Sequence, residues 1–129
     1  MNLYVADTHV LNWYLTADKR LSRKAKSILD ALDADTHIYI STLVLAEIVE
    51  LEDKGRTNIK YDVVMQYLQN NPRYTIIDVT IDIVEAAKRL QGAAELFDRL
   101  IAATAIFLEA KLITHDAVLS SLKNIEIVW

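Results

Sequence analysis

"NLYVADTHVLNWYLT", residues 2–16, reads as a strand that runs straight into a helix. Leu3, Tyr4 and Val5 suit a strand, Asp7 ends it, and residues 8–16 continue as a helix. Strand followed by helix is the opening of a parallel unit, and the same alternation recurs outward along the chain. Strands are expected over 37–41, 74–79, 111–114 and 125–129. Helices are expected over 21–33, 42–55, 60–71, 80–92 and 95–110, with a short one in "HDAVLSSL" from His115. Leu21, Ala25, Ile28, Leu29 and Leu32 follow helical spacing. Ser41 or Thr42 caps the helix that Gly55 stops, and Pro72 ends the next. The helix from Thr80 is expected to end at Gly92. Strands alternating with helices pair in parallel through crossover helices, which predicts an α/β layered sandwich. Such sheets carry their sites outside the carboxyl ends of the strands.

The bulk properties bound what such a domain can be. At 129 residues the chain is expected to form one domain, 1–129, and 53% hydrophobic residues supply a substantial core. The longest apolar run, Leu100–Leu108 counting Thr104, has nine residues. A membrane helix needs about 20, so no membrane association is expected. The start "MNLYVADTHV" lacks a basic region followed by an apolar one, and the chain has no cysteine. A cytoplasmic protein without disulfides or thiolate zinc is expected. Two glycines and one proline leave little room for phosphate-cradling loops or linkers. Net charge is −4, against non-specific nucleic-acid binding, yet "KRLSRKAK" over 19–26 gathers Lys19, Arg20, Arg23, Lys24 and Lys26.

Four acids stand out by position. Asp7 follows the first strand and Asp116 follows "LIT" after one histidine, so both are expected on one edge of the sheet. Either alone reads equally as a helix N-cap. Glu47 lies in the second turn of its helix, too late to cap, with Leu43 and Leu51 at i−4 and i+4. It is either a boundary residue or a functional one. Asp98 has Ala94, Ile101, Ala102 and Ala105 as helical neighbours. A carboxylate there must be paired, capping or coordinated, because a bare buried charge is very costly. Clustered carboxylates without cysteine suit Mg²⁺ or Mn²⁺, and two divalent ions balance four carboxylates. Such a site can activate water against a phosphodiester. Setting the four acids aside leaves the chain neutral (−4 + 4 = 0), so its acidity does not exclude a nucleic-acid substrate.

"YVADTHVLNWYL", "ISTLVLAEIVE", "ELFDRLIAATA" and "LITHD", in this order over nearly the whole chain, resemble the motifs of PIN domains, particularly the VapBC-type toxin branch. The resemblance implies a small three-layer α/β/α sandwich with a central, mainly parallel sheet of about five strands. It implies a metal-dependent endoribonuclease in which Asp7, Glu47, Asp98 and Asp116 are catalytic and hold Mg²⁺ or Mn²⁺. Glu95 matches an auxiliary acidic position. Thr8 and Thr114 match polar positions beside the acids. His115 stands where many relatives carry Arg, and is a candidate RNA contact together with Arg20, Arg23, Lys24 and Arg99. The resemblance further implies a cognate antitoxin protein and a homodimer.

Other readings compete. A non-catalytic PIN-like domain that binds RNA or protein would not require four intact acids. A phosphoacceptor domain would want an acidic pair after the first strand and a late lysine, whereas Asp7 stands beside Thr8 and "IEIVW" has no lysine. A haloacid-dehalogenase-type phosphatase would want an Asp where His9 stands. His9 and His37 are expected at surface or boundary positions, and Trp13 and Tyr14 to pack within an apolar helix.

Overall fold

The computed structural model describes residues 1–90 and 94–129. Among these, twelve elements follow in the order β1 (Asn2–Ala6), α1 (Thr8–Leu15), α2 (Arg23–Asp30), β2 (Thr36–Ser41), α3 (Thr42–Asp53), α4 (Tyr61–Gln69), β3 (Tyr74–Ile77), α5 (Ile81–Arg89), α6 (Leu96–Leu108), β4 (Lys111–Ile113), α7 (Ala117–Ser120) and β5 (Ile127–Val128). The five strands form one sheet in the order β3-β2-β1-β4-β5. Every pairing is parallel, with Val5 opposite Tyr39 on one side and Leu112 on the other. Sheets of this kind are covered on both faces, and Val5, Ala6, Ile38, Ile40, Leu112 and Ile113 are accordingly buried.

The strand order reverses direction at β1. The chain steps outward from β1 to β3, then returns to place β4 on the other side of β1. Parallel connections are right-handed, so the return sends its helices to the opposite face. The packing follows this rule: α1 contacts α2 and α3, and α3 contacts α4, while α5 packs on α6 and α6 lies on β1 and β4. The result is the three-layer α/β/α sandwich. Ile101, Ala102 and Ala105 of α6 join the core with strand residues Val5, Leu112 and Ile113. The alanines let the helix axis approach the sheet closely. Each large apolar side chain buried there contributes about 1.5–3 kcal/mol.

Side-chain caps set the helix boundaries. Asp7, Ser22, Ser41, Thr80 and Asp116 each accept a hydrogen bond from a first-turn backbone N–H. The Ser22 cap starts α2 two residues later than the apolar spacing alone suggests. Asp33 then turns the chain before β2 by accepting from Asp35 N and the Thr36 hydroxyl. At β5, an edge strand, pairing reaches only Ile127 and Val128. Gly55 ends α3 with φ of 63°, a conformation open to glycine. The expected end of α5 at Gly92 lies outside the described residues. No helix among them is long and apolar enough to cross a membrane.

Candidate active site

The point where strand order reverses, between β1 and β4, is where a parallel sheet opens a crevice. Asp7 leaves the end of β1 there, 7% exposed. Its Oδ1 accepts from Val10 N at 2.9 Å, so it does cap α1. Its Oδ2 accepts from the buried Thr114 hydroxyl at the end of β4. The cap and the site are therefore the same residue. Asp116 behaves likewise: Oδ1 accepts from Val118 N at 2.8 Å and Leu119 N at 3.0 Å. Its Oδ2 has no hydrogen-bond partner among the described residues.

Glu47 comes from α3, on the chain segment after β2. The Thr8 hydroxyl, 5% exposed, donates to its Oε1 at 2.9 Å and fixes its direction. Asp98 is the third residue of α6 and half-buried. Glu95 occupies the N-cap position but makes no capping bond with its side chain. Asp98 is therefore not the cap, although a carboxylate in the first turn is favoured by the helix dipole. Asp7, Glu47, Asp98 and Asp116 line one cavity of about 90 Å³, completed by Thr8, His9, Ile101 and Leu119. A larger hollow of about 360 Å³ lies at the opposite edge of the sheet, beside Asn2, Lys111 and Glu126, without such an acid cluster.

The environment holds three of these acids, Asp7, Glu47 and Asp98, toward their neutral form. Burial pushes the Asp7 carboxyl up from its usual value, against the opposing hydrogen bonds from Thr114 and Val10. Burial also raises Glu47, with the Thr8 hydrogen bond opposing and the charge of Asp98 adding. Asp98 is raised by burial, then by the charges of Asp116, Glu95 and Asp7. Like charges in a shared, partly dry cavity disfavour one another's ionisation. Among the described residues, no three of these side chains stand together as ready-made ligands of one ion. The donor chemistry nonetheless fits a hard divalent cation: carboxylate oxygens only, and an excess of negative charge that ionises reluctantly.

The remaining expected residues divide. Glu95 is exposed and acts on the cavity through its charge at Asp98. The Thr8 and Thr114 hydroxyls donate to Glu47 and Asp7. His115 is exposed and its ring stacks on Trp129. Arg20 pairs with Asp18 at 2.8 Å and lies over the Trp13 ring. Arg23 and Lys24 are exposed in the first turn of α2 and form no part of the cavity wall. Arg99 Nη1 donates to the carbonyls of Ala87 and Leu90, both at 3.4 Å, and so ties α6 to the end of α5.

The sequence reading missed three cavity residues. His9 lines the acid cavity, and an adjoining hollow of about 170 Å³ shares Thr8, His9 and Glu47 with it. That hollow ends on Lys54 and Arg56. Lys54 pairs with Glu50 one turn earlier. These two cations flank Gly55 at a helix end, where no periodicity or spacing marks them as part of a site.

A sequence profile of the PIN domain matches residues 4–125. The chain belongs to the PIN domain family. No curated protein matches the sequence closely. Solved structures similar to this PIN domain include VapBC2 from Rickettsia felis bound to a promoter DNA fragment, at 20% identity and a TM-score of 0.76, covering 98% of this chain and 97% of that one. FitAcB from Neisseria gonorrhoeae is 17% identical with a TM-score of 0.73, over 98% and 96% of the two chains. VapC20 from Mycobacterium tuberculosis, described as a toxin that cleaves the sarcin-ricin loop, is 16% identical with a TM-score of 0.68, over 92% and 93%. At these identities the likeness is one of fold, and it extends over nearly the whole PIN domain.

Proposed function

We propose that this PIN domain is a divalent-metal-dependent endoribonuclease, the toxin of a toxin–antitoxin pair, hydrolysing RNA phosphodiesters at Asp7, Glu47, Asp98 and Asp116. One observation carries the reading: four carboxylates from four separate segments line a single cavity at the sheet's switch point. Capping accounts for Asp7 and Asp116 one at a time, but not for the meeting of all four acids at one cavity.

Mg²⁺ or Mn²⁺ would be held by these four acids, with Glu95 adding charge nearby. When bound, such ions activate a water and stabilise the leaving oxygen of a phosphodiester. The chain's own residues prepare the site. Thr114 and Val10 N hold the two oxygens of Asp7. Thr8 orients Glu47. Asp116 keeps one oxygen turned away from its capping role. Lys54 and Arg56 in the adjoining hollow, together with Arg20, Arg23, Lys24 and His115, would supply contacts for the strand's phosphates and a salt-dependent affinity.

An antitoxin protein and a second copy of the chain are the proposed partners. Support for the first is the fold likeness to VapBC structures from Rickettsia felis and from nontypeable Haemophilus influenzae. For the second, Ile81 and Val84 on α5 and Leu96 and Phe97 on α6 are exposed on adjacent helices. Light scattering of the isolated chain checks the dimer.

Cleavage of a mixed RNA pool in Mg²⁺, in Mn²⁺ and in EDTA tests the activity, beside Asp7→Asn and Asp98→Asn. The expected result is metal-dependent cleavage lost in both variants. Cleavage that survives in both sinks the assigned site. No cleavage, with no divalent-ion binding by calorimetry, favours a non-catalytic interaction domain.

A further inference from the structure

The chain has two tryptophans, and each stacks with a histidine that is close in sequence to one of the four acids. Trp13 lies four residues after His9 on α1, which puts both on one helix face. Their rings stack with centroids 5.5 Å apart and 26° between planes. Trp129 follows β5, the neighbour of β4, and His115 stacks on it at 4.7 Å and 13°. The two tryptophans meet edge to face at 6.0 Å and 64°. The Arg20 guanidinium lies 4.9 Å from the Trp13 centroid. In each pair the histidine is exposed and the tryptophan half-buried.

Core packing accounts for Trp129, which packs against the core, but not for Trp13, which is not among the described residues that do. Its surroundings are aromatic rings and a guanidinium. The location is specific as well. His9 is two residues from Asp7 and lines the acid cavity, and His115 directly precedes Asp116. The exposed members of the two pairs are the histidine rings, and aromatic rings with a cation beside them are what a single-stranded nucleic acid uses, because every base has a face to stack. With His9 on the cavity wall and His115 next to Asp116, a base adjoining a phosphodiester at the acids would meet these rings. That adjacency favours a nucleotide over a protein side chain as the occupant.

We propose that the His9–Trp13 and His115–Trp129 pairs, with Arg20, form a stacking site for one unpaired nucleobase next to the phosphodiester at the carboxylates. This rests on the nuclease reading and deepens it, by adding a base-contacting surface outside the four carboxylates. A duplex keeps its bases stacked on one another and offers none to this surface.

Both tryptophans belong to the cluster, so tryptophan emission, excited selectively over the six tyrosines, reports on it. The test titrates the Asp98→Asn protein with a mixed-sequence, unpaired oligoribonucleotide, and with an abasic strand of the same length that keeps the phosphates. Saturable quenching by the first, with binding of the second weaker by roughly tenfold or more, is expected. His115→Ala, an exposed position, is expected to lose about tenfold in affinity for the base-bearing strand and little for the abasic one. Trp13→Phe, which keeps an aromatic face, retains most of the binding, and Trp13→Leu does not. Equal binding of both strands overturns the inference. Absence of any binding overturns it too, and leaves the aromatic surface to a protein contact. Cleavage of RNA by the wild-type protein is scored separately. Cleavage that proceeds without base-dependent quenching sinks the stacking site alone, and quenching without cleavage sinks the nuclease reading alone.

Discussion

The Thr114 hydroxyl donates to Asp7 Oδ2, joining the end of β4 to the end of β1 across 107 residues of sequence. The Thr114 hydroxyl oxygen in turn accepts from the backbone N–H of Asp116 at 3.1 Å. One fully buried side chain thus sets the positions of two of the four acids.

Replacing this residue separates its two effects. Thr114→Val keeps the shape and removes the hydroxyl from a buried carboxylate, at a cost of about 1–3 kcal/mol. The hydrogen bond from Thr114 is the largest influence holding the Asp7 carboxyl down, so its loss moves Asp7 further up. The acid limb of the pH–rate profile is expected to shift to higher pH, while Thr114→Ser preserves both stability and profile. Urea denaturation and a pH series of RNA cleavage measure the two.

A second expectation concerns the metal-free protein. Asp7, Glu47 and Asp98 all have folded values raised above their unfolded ones, chiefly by burial. Their contribution to stability is complete below the unfolded carboxylate range and is lost as pH rises through the raised values. Asp18, Asp30 and Glu50 are lowered by Arg20, Lys26 and Lys54, and act in the opposite sense. They sit on the surface, where solvent screens them. In EDTA, Asp98→Asn should therefore raise Tm at neutral pH, and the gain should shrink as pH falls through the raised Asp98 value. A Tm that falls at neutral and acid pH alike would show that Asp98 is paired rather than repelled.

Arg99 is expected to matter for folding and not for RNA. Arg99→Met removes the link from α6 to the carbonyls of Ala87 and Leu90, for about 1–2 kcal/mol of stability. Cleavage per folded molecule and the salt dependence of RNA binding should stay as in the parent. A changed salt slope would mean that the guanidinium reaches phosphate after all.

Arg56 is expected to behave in the reverse way. Arg56→Ala should leave Tm within about 0.5 kcal/mol of the parent in stability, as surface substitutions do. It should weaken single-stranded RNA binding and flatten the plot of log affinity against log salt by about 0.7, one phosphate contact. Anisotropy titrations at several salt concentrations give the slope.

The residues differ in how far they could be read from the chain alone. Asp7 and Asp116 were visible because strand ends and helix caps are local signals, repeated within a few residues. Glu47 and Asp98 were visible because a carboxylate among apolar helical neighbours breaks a period. Arg99 carried no such signal. Its charge promised a solvent or substrate role, while its partners are carbonyls on a helix whose end lies about ten residues away in sequence and is set against it by packing. Lys54, Arg56 and His9 were missed for the same reason, since a cavity wall has no period.

What the sequence by itself determined is the alternation of strand and helix, the caps, and which side chains break the apolar pattern. These follow from interactions within one or two turns. Tertiary structure alone decided that β4 returns to the free side of β1, and so that Asp116 meets Asp7 through Thr114. It also decided that Trp129 closes on His115 and Trp13. Strand order is set by the handedness of crossovers and by which faces bury together, and neither is written in the spacing of any one segment.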